Sequence, residues 1–191
     1  PEFFQEVEGK IPLGTYQQTL DWLLRFRFGT CDFYSRQFRR LGWDAVDIVT
    51  NFQPLQERWC KENGSGYRGE LKSAMQQIES AKADVVLLQS IHQFPADWLS
   101  SVRSRTKLVG QCSYATGWNW FRGYDAIFTS FPHYLRPIED AGSRAYLVQL
   151  AFEPSLIGEV GQIERDLPCS FVGGMGYPHI WKYGQDVLEQ A

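Results

Sequence analysis

The four consecutive apolar residues Val85, Val86, Leu87 and Leu88 constrain the fold of this chain more than any other segment. A strand with one solvated face alternates apolar and polar side chains, so an unbroken apolar run implies cover on both faces, as in a parallel sheet. Helical periodicity precedes the run, with Leu71, Met75 and Ile78 in register between Tyr67 and Ala81, after a flexible Gly64-Ser65-Gly66 loop. Beyond it, Pro95 to Val102 fits a short helix with Pro95 near its first turn. Two compact strands follow, Lys107 to Gln111 and Asp125 to Thr129, separated by an aromatic-rich loop and a helical turn near Trp118 to Arg122.

The flanking regions continue the alternation. Tyr16, Leu20, Leu23, Leu24 and Phe28 predict a helix over Thr15 to Phe28 that closes at Gly29. Phe33, Tyr34, Phe38 and Leu41 predict a second over Asp32 to Leu41, stopped by Gly42. Val46, Ile48 and Val49 point to a strand over Asp44 to Thr50, with a turn at Asn51 to Pro54. Downstream come a helix from Pro132 to Ala141, a strand from Arg144 to Leu150 and a weakly helical connector from Glu153 to Asp166. A last strand, Cys169 to Val172, runs into Gly173, Gly174 and Gly176 and then a helix from Tyr177 to Ala191. The expected fold is α/β: a Rossmann-like parallel sheet with helices on both faces. Ligands on such sheets sit beyond the carboxyl ends of the strands at a switch point in strand order. That directs attention to Gln89 to Phe94, Gln111 to Trp118, Ser130 to His133 and Ala151 to Pro154.

Composition removes several functional classes. An apolar fraction of 43% with 15% aromatics is incompatible with a disordered chain. No apolar run approaches the ~20 residues needed to span a bilayer. The net charge of -3 is mild and the basic residues are scattered apart from Arg36, Arg39 and Arg40, so nucleic acid is not an expected partner. Cys31, Cys60, Cys112 and Cys169 form no Cys-x-x-Cys pair, which argues against zinc and redox dithiols and for free thiols in a cytoplasmic protein. The Ser-x-x-Lys, Gly-x-Ser-x-Gly and phosphate-loop lysine patterns are absent, and neither Glu153 nor Asp125 has a partner carboxylate at a telling spacing. Hydrolase, NTPase and two-carboxylate glycosidase readings lose support, and a receiver domain lacks its acidic cluster.

An ordered set of short segments carries a resemblance. Asp32-Phe33-Tyr34-Ser35 with Leu41-Gly42, Asn51 to Gln56, Asp84 to Gln89, Val109-Gly110-Gln111 and Gly123-Tyr124-Asp125 are among them. Thr129 to His133, Leu150-Ala151-Phe152, Glu164-Arg165-Asp166 and Ser170 to Gly173 complete the set. Together they resemble the N-terminal half of GT-B glycosyltransferases of the spore-maturation (CgeB-like) type, over nearly the whole chain. The resemblance implies an acceptor-side domain over residues 1–166 and the opening of a donor-side domain over 167–191. Members of the family open with a hydrophobic strand and continue into a complete second α/β domain, so the chain reads as a fragment that is inactive in transfer by itself. The implied reaction is transfer of a sugar from a nucleotide-diphosphate sugar to an unknown acceptor, without a cofactor or metal. The leaving diphosphate is then met by basic side chains and helix N-termini. A non-catalytic α/β module that binds a nucleotide or partner is the alternative, since fold by itself does not fix function.

Specific residues follow from this placement. His92 lies after the most buried strand and His133 after another, both at the carboxyl edge, where an imidazole can bind the acceptor or act as base, or simply pack. Gln111, Ser113, Tyr114 and Trp118 offer an aromatic surface with polar neighbours suited to acceptor binding, although an indole is as readily a core residue. Gly173, Gly174 and Gly176 follow a strand and precede a helix, where backbone N–H groups can hold a donor diphosphate or merely turn the chain. His179 lies close enough to that loop to touch the same diphosphate, or else is an exposed helix residue.

Overall fold

The apolar run becomes β1 (Val85–Leu88), and β2 (Lys107–Gln111), β3 (Ala126–Thr129) and β4 (Arg144–Leu147) extend it into a four-stranded sheet. Every neighbouring pair is parallel and the order is β1-β2-β3-β4. The computed structural model describes residues 9–27, 31–149, 151 and 153–161. They belong to two units, Pro1–Ala151 and Phe152–Ala191. In the first unit the helices are α1 (Tyr16–Leu24), α2 (Phe33–Arg40), α3 (Gln53–Glu62), α4 (Glu70–Ala81), α5 (Ala96–Arg103) and α6 (Leu135–Asp140). In the second, α7 (Ser155–Val160) starts where the Ser155 N–H donates to Glu153 Oε1 at 3.2 Å. The expected strand at 169–172, the glycine-rich loop and the last helix lie outside the described residues, as does the proposed donor-side segment 167–191.

The α/β architecture is the one expected, a parallel sheet flanked by helices of the Rossmann-like kind. One expectation about it fails: strand order never reverses among the described strands, so no switch point marks the ligand site. Strands added consecutively with crossovers of one hand carry their connections on one face. The core follows that rule, because Leu99 and Val102 of α5 and Ile138 of α6 join Leu88, Leu108 and Ile127 of the sheet in one buried cluster. The other face receives Tyr34 of α2, whose hydroxyl donates to Gln111 Oε1 at 2.9 Å and whose ring meets Phe128 edge-on.

Register places Leu88, Gly110, Ile127 and Ala145 in one row across the sheet. A Cβ on Gly110 would come within 2.8 Å of Ile91 Cγ2 and 3.0 Å of the Tyr124 ring. The missing side chain therefore lets Ile91 and Tyr124, both fully buried, lie directly on β2. Tyr124 donates to the Ile91 carbonyl at 3.3 Å, which fixes the turn that follows β1.

A second cluster holds the N-terminal helices together through Leu20 and Leu23 of α1, Leu55 of α3 and Phe52 before it. Thr15 caps α1 by accepting from the Gln18 N–H, while Gln18 returns its side-chain oxygen to the Thr15 N–H, a reciprocal box that satisfies two otherwise orphaned donors. Between the helices runs a buried polar chain: Tyr16 donates to Gln77, Gln77 to Gln56, and Gln56 to the Val49 carbonyl. Burial, and after it the Asp47 charge, pushes the Tyr16 phenol up to about 12, so it remains a neutral donor.

Several boundaries differ from those expected. The strand anticipated over Asp44 to Thr50 does not form. Ile48 packs on the sheet core, Val49 on the helical core, and Val46 is exposed, so three apolar residues that suggested one strand serve different surroundings. The turn expected at Asn51 to Pro54 instead starts α3, with Pro54 in its first turn, where the missing N–H costs no helical bond. The helix anticipated from Tyr67 begins at Glu70, because Gly69 before it takes φ +99°. The Pro132 to Ala141 helix divides into a 3₁₀ turn (Pro132–Tyr134) and α6, which places Pro137 in the first turn of α6.

The amino ends of the strands are tied by Asp125, which accepts from the Leu108 N–H at 2.8 Å and from Arg103 Nε at 3.2 Å. Burial favours the neutral acid, but the Leu108 N–H, Arg103 and Lys107 outweigh it and hold this carboxyl below its usual range. A depressed folded-state value stabilises the protein above the unfolded-state value and ceases to do so as pH falls through the folded one. Asp125→Ala should therefore lower stability at neutral pH by about 1–3 kcal/mol. Its deficit should shrink below about pH 4, measured by urea denaturation across pH. Gly110→Ala should cost about 1–3 kcal/mol through overpacking against Ile91 and Tyr124, read as a lower urea midpoint with unchanged slope.

Candidate functional site

The carboxyl ends of β1, β2 and β3 lie side by side, and the segments leaving them build one rim. After β1 comes the 3₁₀ turn Ile91–Gln93, after β2 the loop to the 3₁₀ turn Trp118–Phe121, and after β3 the turn Pro132–Tyr134. Ile91 and Phe121 anchor the first two turns in the core, and Tyr134 anchors the third. The residues between these anchors are thereby held at the rim.

His92 sits in the first turn, half-buried. Its Nε2 bonds to Thr116 Oγ1, and its ring lies 4.6 Å from Tyr114 and 5.0 Å from Trp120, the latter edge-on. Among the described residues no carboxylate bonds this imidazole. Tyr114 turns its hydroxyl to the β1 end, where it accepts from the Ile91 N–H at 3.0 Å and stands 3.4 Å from Ser90 Oγ. Thr116 is held in turn by the third element, its N–H donating to the Tyr134 hydroxyl at 2.9 Å. The bonds from His92 to Thr116 and from Thr116 to Tyr134 connect the loops after all three strands.

His133 lies beside this network. Its ring stacks on Phe131 at 5.4 Å and meets Tyr134 at 4.5 Å, and the residue is exposed. Of the other residues singled out in the sequence, Tyr114 belongs to the rim and Ser113 is partly buried beside it. Trp118 is 68% exposed. Gln111 goes elsewhere: it ends β2 but bonds Tyr34 on the opposite face from Gly110. The period of two along a strand dictates this, since adjacent residues point to opposite faces. Gly173, Gly174, Gly176 and His179 lie outside the described residues.

Thr116, Tyr134, Ser90 and Ser130 complete the rim without having been chosen from the sequence, whereas Trp120 joins it from the aromatic loop that the sequence marked together with Trp118. A signal for three of them existed, because Ser90 and Ser130 fall within two residues of a strand end and Thr116 in the loop after β2. Below the rim, burial raises the Tyr124 phenol and the Cys112 thiol, the latter despite a hydrogen bond with the Tyr114 backbone. Both stay protonated at neutral pH and serve as packing groups. Cys31, Cys60 and Cys112 are unpaired thiols, and among the described residues no group of three His, Cys, Asp or Glu side chains is placed to hold a metal. No described helix is long and apolar enough to cross a membrane.

The arrangement offers a hydrogen-bonded imidazole, several hydroxyls and indole surface at one edge of a parallel sheet. It can position a polar ligand and can move a proton at His92. No family model, no curated protein and no solved structure matches this chain. Tyr134→Phe should release the Thr116 N–H, costing about 1 kcal/mol. Amide exchange at Thr116 should accelerate while exchange at Leu108, inside the sheet, is unchanged.

Proposed function

We propose that this chain is the acceptor-side part of a glycosyltransferase that moves a sugar from a nucleotide-diphosphate sugar to an acceptor at the carboxyl rim of the sheet. The observation that carries the reading is the His92, Thr116 and Tyr134 network, which joins three strand ends where α/β enzymes place their ligands. The ordered likeness to the spore-maturation type of GT-B enzyme supports the reaction class. His92 is the proposed base, with Thr116 fixing its ring, and Tyr114, Ser113 and Trp118 are proposed to line the acceptor side. His133 is proposed to contact the acceptor from the β3 side. Donor contacts fall to Gly173, Gly174, Gly176 and His179, with the nucleotide sugar as a substrate and no separate cofactor.

A binding module without turnover is the rival, and one observation favours it: His92 is engaged by a neutral threonine and flanked by two rings, as a structural histidine is. Titration calorimetry of the protein against a panel of nucleotide diphosphates and their sugars, paired with a nucleotide-release assay, separates the two. The transferase reading expects binding of at least one nucleotide diphosphate and release of nucleotide on adding acceptor once the donor-side domain is present. His92→Ala should then slow release by about a hundredfold or more without loss of donor binding. With the donor-side domain present, binding without release would leave the module, and absence of nucleotide binding would remove the transferase.

A further inference from the structure

The carboxyl end of α2 holds apolar side chains in water that neither core claims. Leu41 is 73% exposed, Val46 63% and Trp43 61%, with Phe38 exposed beside them. Single exposed apolar residues are ordinary, whereas a contiguous group marks a contact surface. The backbone builds the contiguity. Gly42 takes φ +87°, its N–H donates to the Arg39 carbonyl at 3.1 Å, and the Trp43 N–H donates to the Phe38 carbonyl at 3.0 Å. This pair of bonds is a Schellman closure, which satisfies carbonyls of the last turn and folds the residue after the glycine back onto the helix. The Trp43 ring accordingly lies 6.3 Å from Phe38. Arg39 donates to the Ala45 carbonyl at 2.6 Å, which ties the stretch that carries Val46 to the same helix end. Leu41, Trp43 and Val46 are thus held at one built turn.

Positive charge accompanies these side chains. Arg36 is committed to Asp32 at 2.7 Å. Among the described residues neither Arg39 nor Arg40 pairs with a carboxylate, and Arg40 donates only to the Gln37 side chain at 3.3 Å. The acids nearby are Asp44, which is exposed, and Asp47, which is half-buried, accepts from Ser35 at 2.5 Å and interacts with Arg39 through space. Two exposed guanidinium groups against one exposed acid leave a local positive excess in a chain whose net charge is -3.

A lipid surface matches this combination. An indole, apolar with one polar N–H, favours the boundary between hydrocarbon and water. Aliphatic side chains enter just below that boundary, and guanidinium groups meet the phosphates and carboxylates of anionic headgroups. Nucleic acid supplies phosphate but no cover for Leu41 and Val46. A protein partner needs a groove shaped to side chains that stand out into solvent, whereas a bilayer deforms around them. We infer that the α2 carboxyl end, Phe38 to Val46, docks the protein on a membrane surface rich in anionic lipid. Leu41, Trp43 and Val46 enter the headgroup boundary, and Arg39 and Arg40 meet the headgroups. The contact is peripheral and stands apart from the transferase reading, since it uses neither the rim nor a nucleotide.

Co-sedimentation of the 191-residue chain with vesicles tests this, using phosphatidylcholine alone and a two-to-one mixture of phosphatidylcholine and phosphatidylserine. The chain should bind the mixed vesicles about tenfold or more tightly than phosphatidylcholine alone. Raising the salt from a tenth to half molar should weaken that binding severalfold. The double variant Leu41→Ser, Trp43→Ser and the single variant Arg40→Glu should each weaken it by about tenfold or more. Ile157→Ser removes an apolar side chain that is 61% exposed in α7 and should keep wild-type binding. The replaced side chains lie outside both cores, and circular dichroism verifies that each variant is folded. Absence of binding to the mixed vesicles, equal affinity for the two vesicle types, or wild-type affinity in the folded double variant overturns the inference. So does dimerisation in sedimentation velocity that the double variant abolishes while vesicles bind neither protein, which assigns the patch to a second copy of the chain.

Discussion

The absence of a side chain at Gly110 is the constraint on which the rim depends. Because nothing projects toward the core at Gly110, Ile91 and Tyr124 settle directly on β2, within distances that a Cβ would not permit. Tyr124 then holds the Ile91 carbonyl, and the Tyr114 hydroxyl holds the Ile91 N–H. Both backbone groups of one residue at the end of β1 are thus secured by tyrosines from the β2–β3 connection. His92 inherits its position from that double tie.

From this anchor the polar network spreads sideways along strand ends. Thr116 receives the His92 ring on one side and gives its N–H to Tyr134 on the other. The hydroxyl and amide groups that meet the imidazole carry no charge. Neutral hydrogen bonds of this kind contribute only about 0.5–1.5 kcal/mol each to stability, yet they restrict geometry strongly because a mispaired buried group is costly. The amino edge of the sheet works differently, through the ionised Asp125 bridging the β2 backbone and Arg103. One edge is fastened by charge, and the opposite edge is left with neutral hydroxyls, an imidazole and exposed indole.

Much of the fold was legible in the residues. The apolar run at Val85 to Leu88, the compact strands after it and the amphipathic Leu71, Met75 and Ile78 stripe all form the elements their spacing predicts. The segment from Asp44 to Glu62 was not legible in the same way. Val46, Ile48 and Val49 carry strand propensity, but pairing requires a neighbouring strand, and these side chains are divided between two cores and solvent. The polar sequence of α3 hid a helix whose buried residues include Gln56, a side chain that periodicity of apolar residues does not count. At the rim, His92 and Tyr114 could be chosen because they follow strong strands. Thr116 was marked only by its place in the loop after β2, and Tyr134 not at all, since their importance lies in bonding across sequence separations that no local pattern records.

The sequence by itself determined that the chain alternates strand and helix, that the sheet is parallel, and which loops leave its carboxyl ends. Those properties follow from local periodicity and from the burial of both strand faces. Only the tertiary structure decided that strand order runs in one direction, that Gln111 turns away toward Tyr34, and that His92, Thr116 and Tyr134 join into one network. Register and face are set by how strands pair and by what a glycine leaves room for, and those are relations between distant residues.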